Sequence, residues 1–264
     1  MRPILSIAQT TVGEAIRRKA LLVILLIGVL LMVVAPGLGI LSARSETTVL
    51  KGMMLGIIQL TSAVIAIVLT VYMIPNEIER RTIYTILSKP VQRYQFLIGK
   101  YLGAVSALAI MMALMMMIFV GVFFYSQPTS RDLGSIAELM KPPMMYFVQM
   151  CLLAAVGIFF STFVAPLVNF FLAGGVYLLG SLFNPFFETL KTSANTPGIA
   201  KFSAATLNFL LPNFANYNVQ NPIINPGQTI RNETMYYAEI TGYGVLYIVL
   251  LLVAGIWIFD RREV

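Results

Sequence analysis

Six runs of apolar residues separated by short polar stretches order this chain. They cover 20–41, 53–75, 101–125, 142–164, 167–184 and 238–259. A helix crossing the hydrocarbon core of a bilayer needs about 20 mostly apolar residues, so each run predicts a span. The fifth is the shortest, at about 27 Å of helix, and only just crosses. The predicted fold class is an all-α integral membrane protein: one transmembrane domain over 1–264, with little chain left for a soluble domain.

The polar stretches carry the rest of the pattern. Over 1–19, Ile4, Leu5, Ala8, Val12, Ala15 and Ile16 share one side of a helical wheel, with Ile7 the exception, while Gln9, Thr10, Gly13, Glu14 and Arg17 share the other. That division predicts a helix lying in the membrane interface. Between the second and third runs, Ile74–Lys100 holds seven charged residues. Pro75 ends the second span there. Asn76 is a candidate N-cap, with Glu79 three residues on in a capping-box arrangement. Glu77 and Glu79 at the start and Lys89 at the end suit the helix dipole, and Pro90 stops the helix. Ile78, Thr82, Ile83, Ile86 and Leu87 fall on one side; Glu77, Arg80, Arg81, Tyr84, Thr85 and Ser88 fall on the other. An amphipathic surface helix over 76–89 follows, with a short segment over 91–100 feeding the third span. The long stretch 185–237, broken by Pro197, Pro212, Pro222 and Pro226, contains a helix-like segment, Ile199–Leu211.

Composition fits a membrane protein. Hydrophobic residues are 58% of the chain and charged residues 11%, against about 25% charged in soluble domains, and the mean hydropathy is +0.84. With no histidine and one cysteine, an internal disulfide and a Cys/His zinc cluster are excluded. Cys151, inside FVQMCLLAAV, reads as a buried structural thiol.

Charge sets the topology. Six spans place both termini on one side. That side then carries eleven basic and five acidic residues, and the other carries seven and six. The positive-inside rule makes the first side cytoplasmic. It also accounts for most of the basic excess, so no nucleic-acid partner is required. Apart from Glu239 the spans hold no charged residue, which argues against a proton-coupled pump. No intramembrane catalytic dyad can be assembled without histidine or a mid-membrane aspartate, and no GxxxxGK[ST] phosphate loop occurs. Energy for uphill transport would have to come from another chain.

The run NEIERRTIYTILSKPVQRYQFLIGKYLG resembles the cytoplasmic segment between the second and third spans of type 2 ABC exporter permease subunits. Glu77, Glu79, Arg80, Arg81, Thr82, Leu87, Ser88, Pro90, Arg93, Gly99 and Lys100 match its usual pattern, and Gln92 stands where serine is common. The overall plan is similar over nearly the whole chain, although only this stretch is specific. The resemblance implies a non-catalytic permease subunit of the bacterial inner membrane, in contact with membrane lipid. It implies that 76–89 is a coupling helix docking into a separate ATP-binding subunit, present in two copies, which binds the ATP and Mg; this chain itself holds no cofactor. A second permease, identical or similar, would complete the pathway. The implied coupling residues are Glu77, Glu79, Arg80, Arg81, Thr82, Tyr84, Thr85, Ser88, Lys89 and Arg93. Candidate pathway-lining residues are Gln59, Thr61, Ser62 and Thr70 of the second span and Asn169 of the fifth, the two spans that face the pathway in the resembled family.

Other readings of the same residues stay open. The linker would equally serve a membrane anchor that holds a cytoplasmic partner without transport. Sodium coupling through broken helices is also not excluded. Gly99, Gly103 and Ala107 recur every four residues on the third span, a spacing that lets helices approach closely and that reads first as packing within the chain. Met111, Met112 and Met115–Met117 form an adaptable apolar patch.

Overall fold

The structure is a computed structural model that describes residues 2–39, 46–79, 92–126, 133–183, 198, 206, 211–218 and 232–261. Among these residues all regular secondary structure is helical. An N-terminal helix, α1 (Arg2–Arg17), leads into α2 (Lys19–Gly39) and α3 (Glu46–Val71). A turn over 72–74 and a five-residue helix, α4 (Pro75–Glu79), begin the charged linker. Then come α5 (Arg93–Ser126), α6 (Leu133–Ser161), α7 (Pro166–Leu178) and α8 (Glu233–Arg261). Among the described residues, five helices are long and apolar enough to cross a membrane. The shorter α7 is extended by a π turn, Leu179–Phe183.

Burial sorts the helices into a centre and a rim. α3 and α6 lie side by side in the middle, each packed against several neighbours. α2 and α8 are peripheral. Among the residues of α2 whose burial is described, Leu21, Gly28, Met32 and Ala35 are the buried ones, and their spacing of seven, four and three makes one stripe. Its other faces expose Leu22, Val23, Leu26, Ile27, Leu30 and Leu31. A helix apolar all round, with one stripe against protein, has its remaining faces suited to lipid. The bundle has two ends: one carries α1, α4 and the C-terminus of α8 and is called the linker end; the other is the far end.

Several expectations change in detail. Asn76 is not the N-cap, because the helix starts at Pro75, whose fixed φ and missing amide suit a first helical position. The third span is continuous with the segment before it, since α5 begins at Arg93. The polar insert expected over 126–141 is helical from Leu133, and α6 runs straight through Pro142 and Pro143. Those prolines remove the amides that the carbonyls of Glu138 and Leu139 would accept, a loss a helix tolerates where neighbouring groups compensate. Cys151 is buried, as its sequence surroundings predict. Met111, Met112 and Met115 are also buried, whereas Met117 is exposed.

α1 lies along α5. A Cβ placed on Gly99 would stand 2.9 Å from the Ile7 side chain and 3.1 Å from the Ile4 carbonyl. One placed on Gly103 would stand 2.5 Å from Thr11 Cβ and 2.9 Å from the Ala8 carbonyl. The small-residue stripe of the third span is therefore a seam within the chain. The face of α1 that meets protein is Ile7, Ala8, Thr11 and Ala15, while Leu5 and Ile16 point outward. Ile7, the exception on the wheel, is one of the packing residues.

Candidate functional site

At the linker end, one cluster of charged contacts joins three elements. Lys100, on the second turn of α5, has its side chain only 4% exposed. Its ammonium pairs with the Glu77 carboxylate of α4, itself 13% exposed. Glu14 of α1, largely exposed, lies 3.8 Å from the same ammonium, and the Phe96 ring lies 5.8 Å beneath it. A lysine buried this deeply is tolerated only with a carboxylate partner. Glu77, expected on the exposed face of the coupling helix, is turned inward as that partner.

Arg93 holds a second junction. Its Nη1 donates to the carbonyls of Phe259 at 2.8 Å and Asp260 at 3.3 Å, near the end of α8. Its guanidinium also lies 5.8 Å from the Phe259 ring, and that ring stacks on Phe96 at 6.1 Å. The last carbonyls of a helix lack intrahelical donors and carry partial negative charge, so a cation there stabilises the end. Arg93→Gln should cost about 1 kcal/mol. In thermal unfolding that reads as a loss of about 2–4 °C.

Of the remaining expected coupling residues, Glu79 ends α4. Arg80, Arg81, Thr82, Tyr84, Thr85, Ser88 and Lys89 lie outside the described residues.

The five candidate pathway residues are drawn into contacts within the chain. Thr61 sits against Gly28 of α2 and Thr70 against Gly157 of α6. The hydroxyls of Ser62 and Thr70 donate to carbonyls one turn back, on Ile58 at 2.6 Å and Ala66 at 2.8 Å. Asn169 Nδ2 donates to the Gly157 carbonyl at 3.0 Å; its Oδ1 has no partner among the described residues. Gln59 Nε2 donates to Gln149 Oε1 at 3.2 Å, and Gln59 alone of the five keeps an intermediate exposure.

Gln149 was not singled out by sequence reasoning. Fully buried on α6, it passes the connection on: its Nε2 donates to the Phe214 carbonyl at 3.0 Å. Phe214 belongs to a segment over 211–218 that is irregular apart from a short 3₁₀ turn, Ala215–Tyr217. Both Phe214 and Tyr217 are completely buried. Tyr217 donates to the Ile240 carbonyl of α8 at 3.2 Å, and Tyr236 to the Asn216 carbonyl at 3.0 Å. Depth follows from an ion pair at the far end, where Lys141 of α6 meets Glu233 of α8 at 2.8 Å and Glu138 at 2.5 Å. Gln149 lies eight residues along α6 from that pair, about 12 Å, and Ile240 lies seven along α8, about 10 Å. The segment thus re-enters the bundle, where irregular backbone persists only if protein satisfies its polar groups.

Signals for the missed residues exist but are faint. Lys100 and Glu14 are isolated charges beside apolar runs, and Gln149 is one amide inside a span.

This arrangement defines a multi-pass helical membrane protein with a charged linker braced against two neighbouring helices. The sequence profile of the ABC-2 family transporter proteins matches residues 5–264. The chain belongs to this family and is a permease subunit of an ABC transporter. Such permeases are membrane-transport components that associate with an ATP-binding subunit. No match is found among curated proteins.

Proposed function

We propose that this chain is the permease of an ATP-driven exporter in the bacterial inner membrane, with both termini cytoplasmic. Two permease halves, identical or similar, enclose the pathway, and two ATP-binding subunits, which bind the ATP and Mg, dock from the cytoplasm. The linker over 76–89 is the coupling helix, and Glu79, Arg80, Arg81, Thr82, Tyr84, Thr85, Ser88 and Lys89 form its contact with the ATPase. Glu77 and Arg93 act from behind the contact, fixing the linker's two ends to the bundle. Gln59, the one pathway candidate with surface to spare, faces the second permease.

The observation that carries this reading is the family match over residues 5–264. It is supported by the linker beginning and ending in braced helices, so that a push on it has somewhere to go.

Co-purification tests the reading. A tagged chain extracted from its own membranes in mild detergent brings down an ATP-binding subunit at one copy per permease. Arg81→Ala inserts normally but weakens that association by about 2 kcal/mol or more, the usual cost of truncating a central anchor. If the native chain brings down no ATP-binding protein, the reading fails.

A further inference from the structure

The contacts of Lys100 reach three elements at once. Its own helix, α5, is the span that follows the linker; Glu77 belongs to α4, where the linker starts; Glu14 belongs to α1. α1 in turn is seated on α5 through Gly99 and Gly103, which flank Lys100 at −1 and +3. From these contacts we infer that Lys100 is a positioning residue, locking α1, α4 and α5 into one rigid unit at the linker end.

Three observations point the same way. First, the described part of α4, Pro75–Glu79, is tied to α5 by the pair between Glu77 and Lys100, both largely shielded from solvent. That pair fixes the start of the linker against the bundle. Second, the ammonium is buried whereas Glu14 is largely exposed. The pairing with Glu77 is thus the strong member, and Glu14 adds a second, more hydrated tie that draws α1 in. Third, no side chain at Gly99 or Gly103 separates α1 from α5, so a shift of α5 carries α1 with it. A displacement entering at the linker would move the interfacial helix and the third span together instead of being absorbed by a loose hinge. This transmission role rests on the coupling function proposed above; the lock itself does not.

Hydrogen–deuterium exchange on the full chain in lipid nanodiscs tests the lock without any ATPase. Lys100→Met speeds exchange over 72–79 and 11–17 by about tenfold or more, because Glu77 loses its buried partner. Exchange over α6 stays at the native rate. Glu77→Gln produces the same local pattern, and the double variant is no worse than either single one, the non-additivity of a direct pair. Lys100→Arg keeps the charge and restores most of the protection. Unchanged exchange over 72–79, or additive effects in the double variant, overturns the lock. If Lys100→Met does not fold, Glu77→Gln and Lys100→Arg carry the same comparison.

A second arm uses the complex with its ATP-binding subunit. Trapping with ATP and vanadate changes exchange over 72–79 and 11–17 together in the native complex. In Lys100→Met the change at 11–17 is lost while ATPase binding remains. Retention of both changes overturns the transmission role. If no ATPase accompanies the native chain, the proposed function fails, and the nanodisc measurement still decides whether Lys100 is the lock.

Discussion

Replacing Gly103 with leucine separates α1 from α5 and destabilises the protein by about 3 kcal/mol, the upper end for overpacking. Even one carbon there would stand 2.5 Å from Thr11 Cβ and 2.9 Å from the Ala8 carbonyl. The second neighbour is backbone, so no rotamer change relieves it. A leucine adds three further carbons in the same direction. Gly121 on the same helix is the control, because a Cβ there meets nothing within 4 Å; Gly121→Leu leaves the fold intact and gains some helix propensity. The chain carries its own reporter, since its one cysteine, Cys151, is buried. A thiol-reactive fluorophore added to detergent-solubilised protein reads unfolding as Cys151 becomes accessible. Gly103→Leu should lower the midpoint by about 6–12 °C, with α1 becoming more sensitive to protease, while Gly121→Leu should stay near the native value.

The contrast between those two glycines shows how far the sequence can be read. The period-four run of Gly99, Gly103 and Ala107 announces a close helix contact, but the partner is set by three-dimensional packing. Here it is α1, a helix whose wheel pointed its apolar side to lipid. The wheel was right that α1 is two-sided. It could not place Ile7, and it gave no role to Thr11, because a small residue opposite makes even a threonine a good packing residue. Long apolar helices were legible for a simpler reason: a lipid solvent requires long apolar runs, and those requirements are written residue by residue. Their ends were less so. Pro75 read as a stop yet opens α4, and Pro142 read as a start yet lies nine residues inside α6. Proline removes an amide wherever it stands; whether that ends a helix depends on what else can satisfy the carbonyl one turn back.

The linker illustrates the same limit at the candidate site. Its charges and family pattern are local and visible in the sequence, whereas the N-cap expected at Asn76 gives way to a helix that opens at Pro75. The inward turn of Glu77 depends on Lys100, 23 positions later, and the cap from Arg93 onto α8 spans 166 positions. Neither pairing has a period. The re-entrant segment is harder still, since NFANYN carries no helical or strand alternation. Its aromatics, Phe214 and Tyr217, become informative only once Gly180 and Gly244 are seen to leave room for them.

The anchoring of that segment yields the second large effect. Gln149→Leu loosens 211–218 in the bundle, because among the described residues Gln149 is the side chain joining α3, through Gln59, to the Phe214 carbonyl. Leucine fills similar space but removes both bonds, leaving Gln59 Nε2 without its acceptor and the Phe214 carbonyl with only the 3.3 Å bond from the Tyr217 amide, at a cost of about 1–3 kcal/mol. Gln59→Leu makes the useful comparison: it removes one bond of the two and leaves Gln149 still donating to Phe214, so its effect is smaller. Opening is measured by placing a cysteine at Ala215 in a Cys151→Ser background and following its reaction with a membrane-impermeant maleimide. Local opening governs that rate, and each 1.4 kcal/mol lost raises it about tenfold. We expect Gln149→Leu to accelerate labelling by about tenfold or more and Gln59→Leu by less, with Lys100→Met, at the opposite end of the bundle, leaving it unchanged. Equal labelling in Gln149→Leu and the native background would mean that the tyrosine contacts, Tyr217 with Ile240 and Gly244 and Tyr236 with Asn216, hold the segment without Gln149.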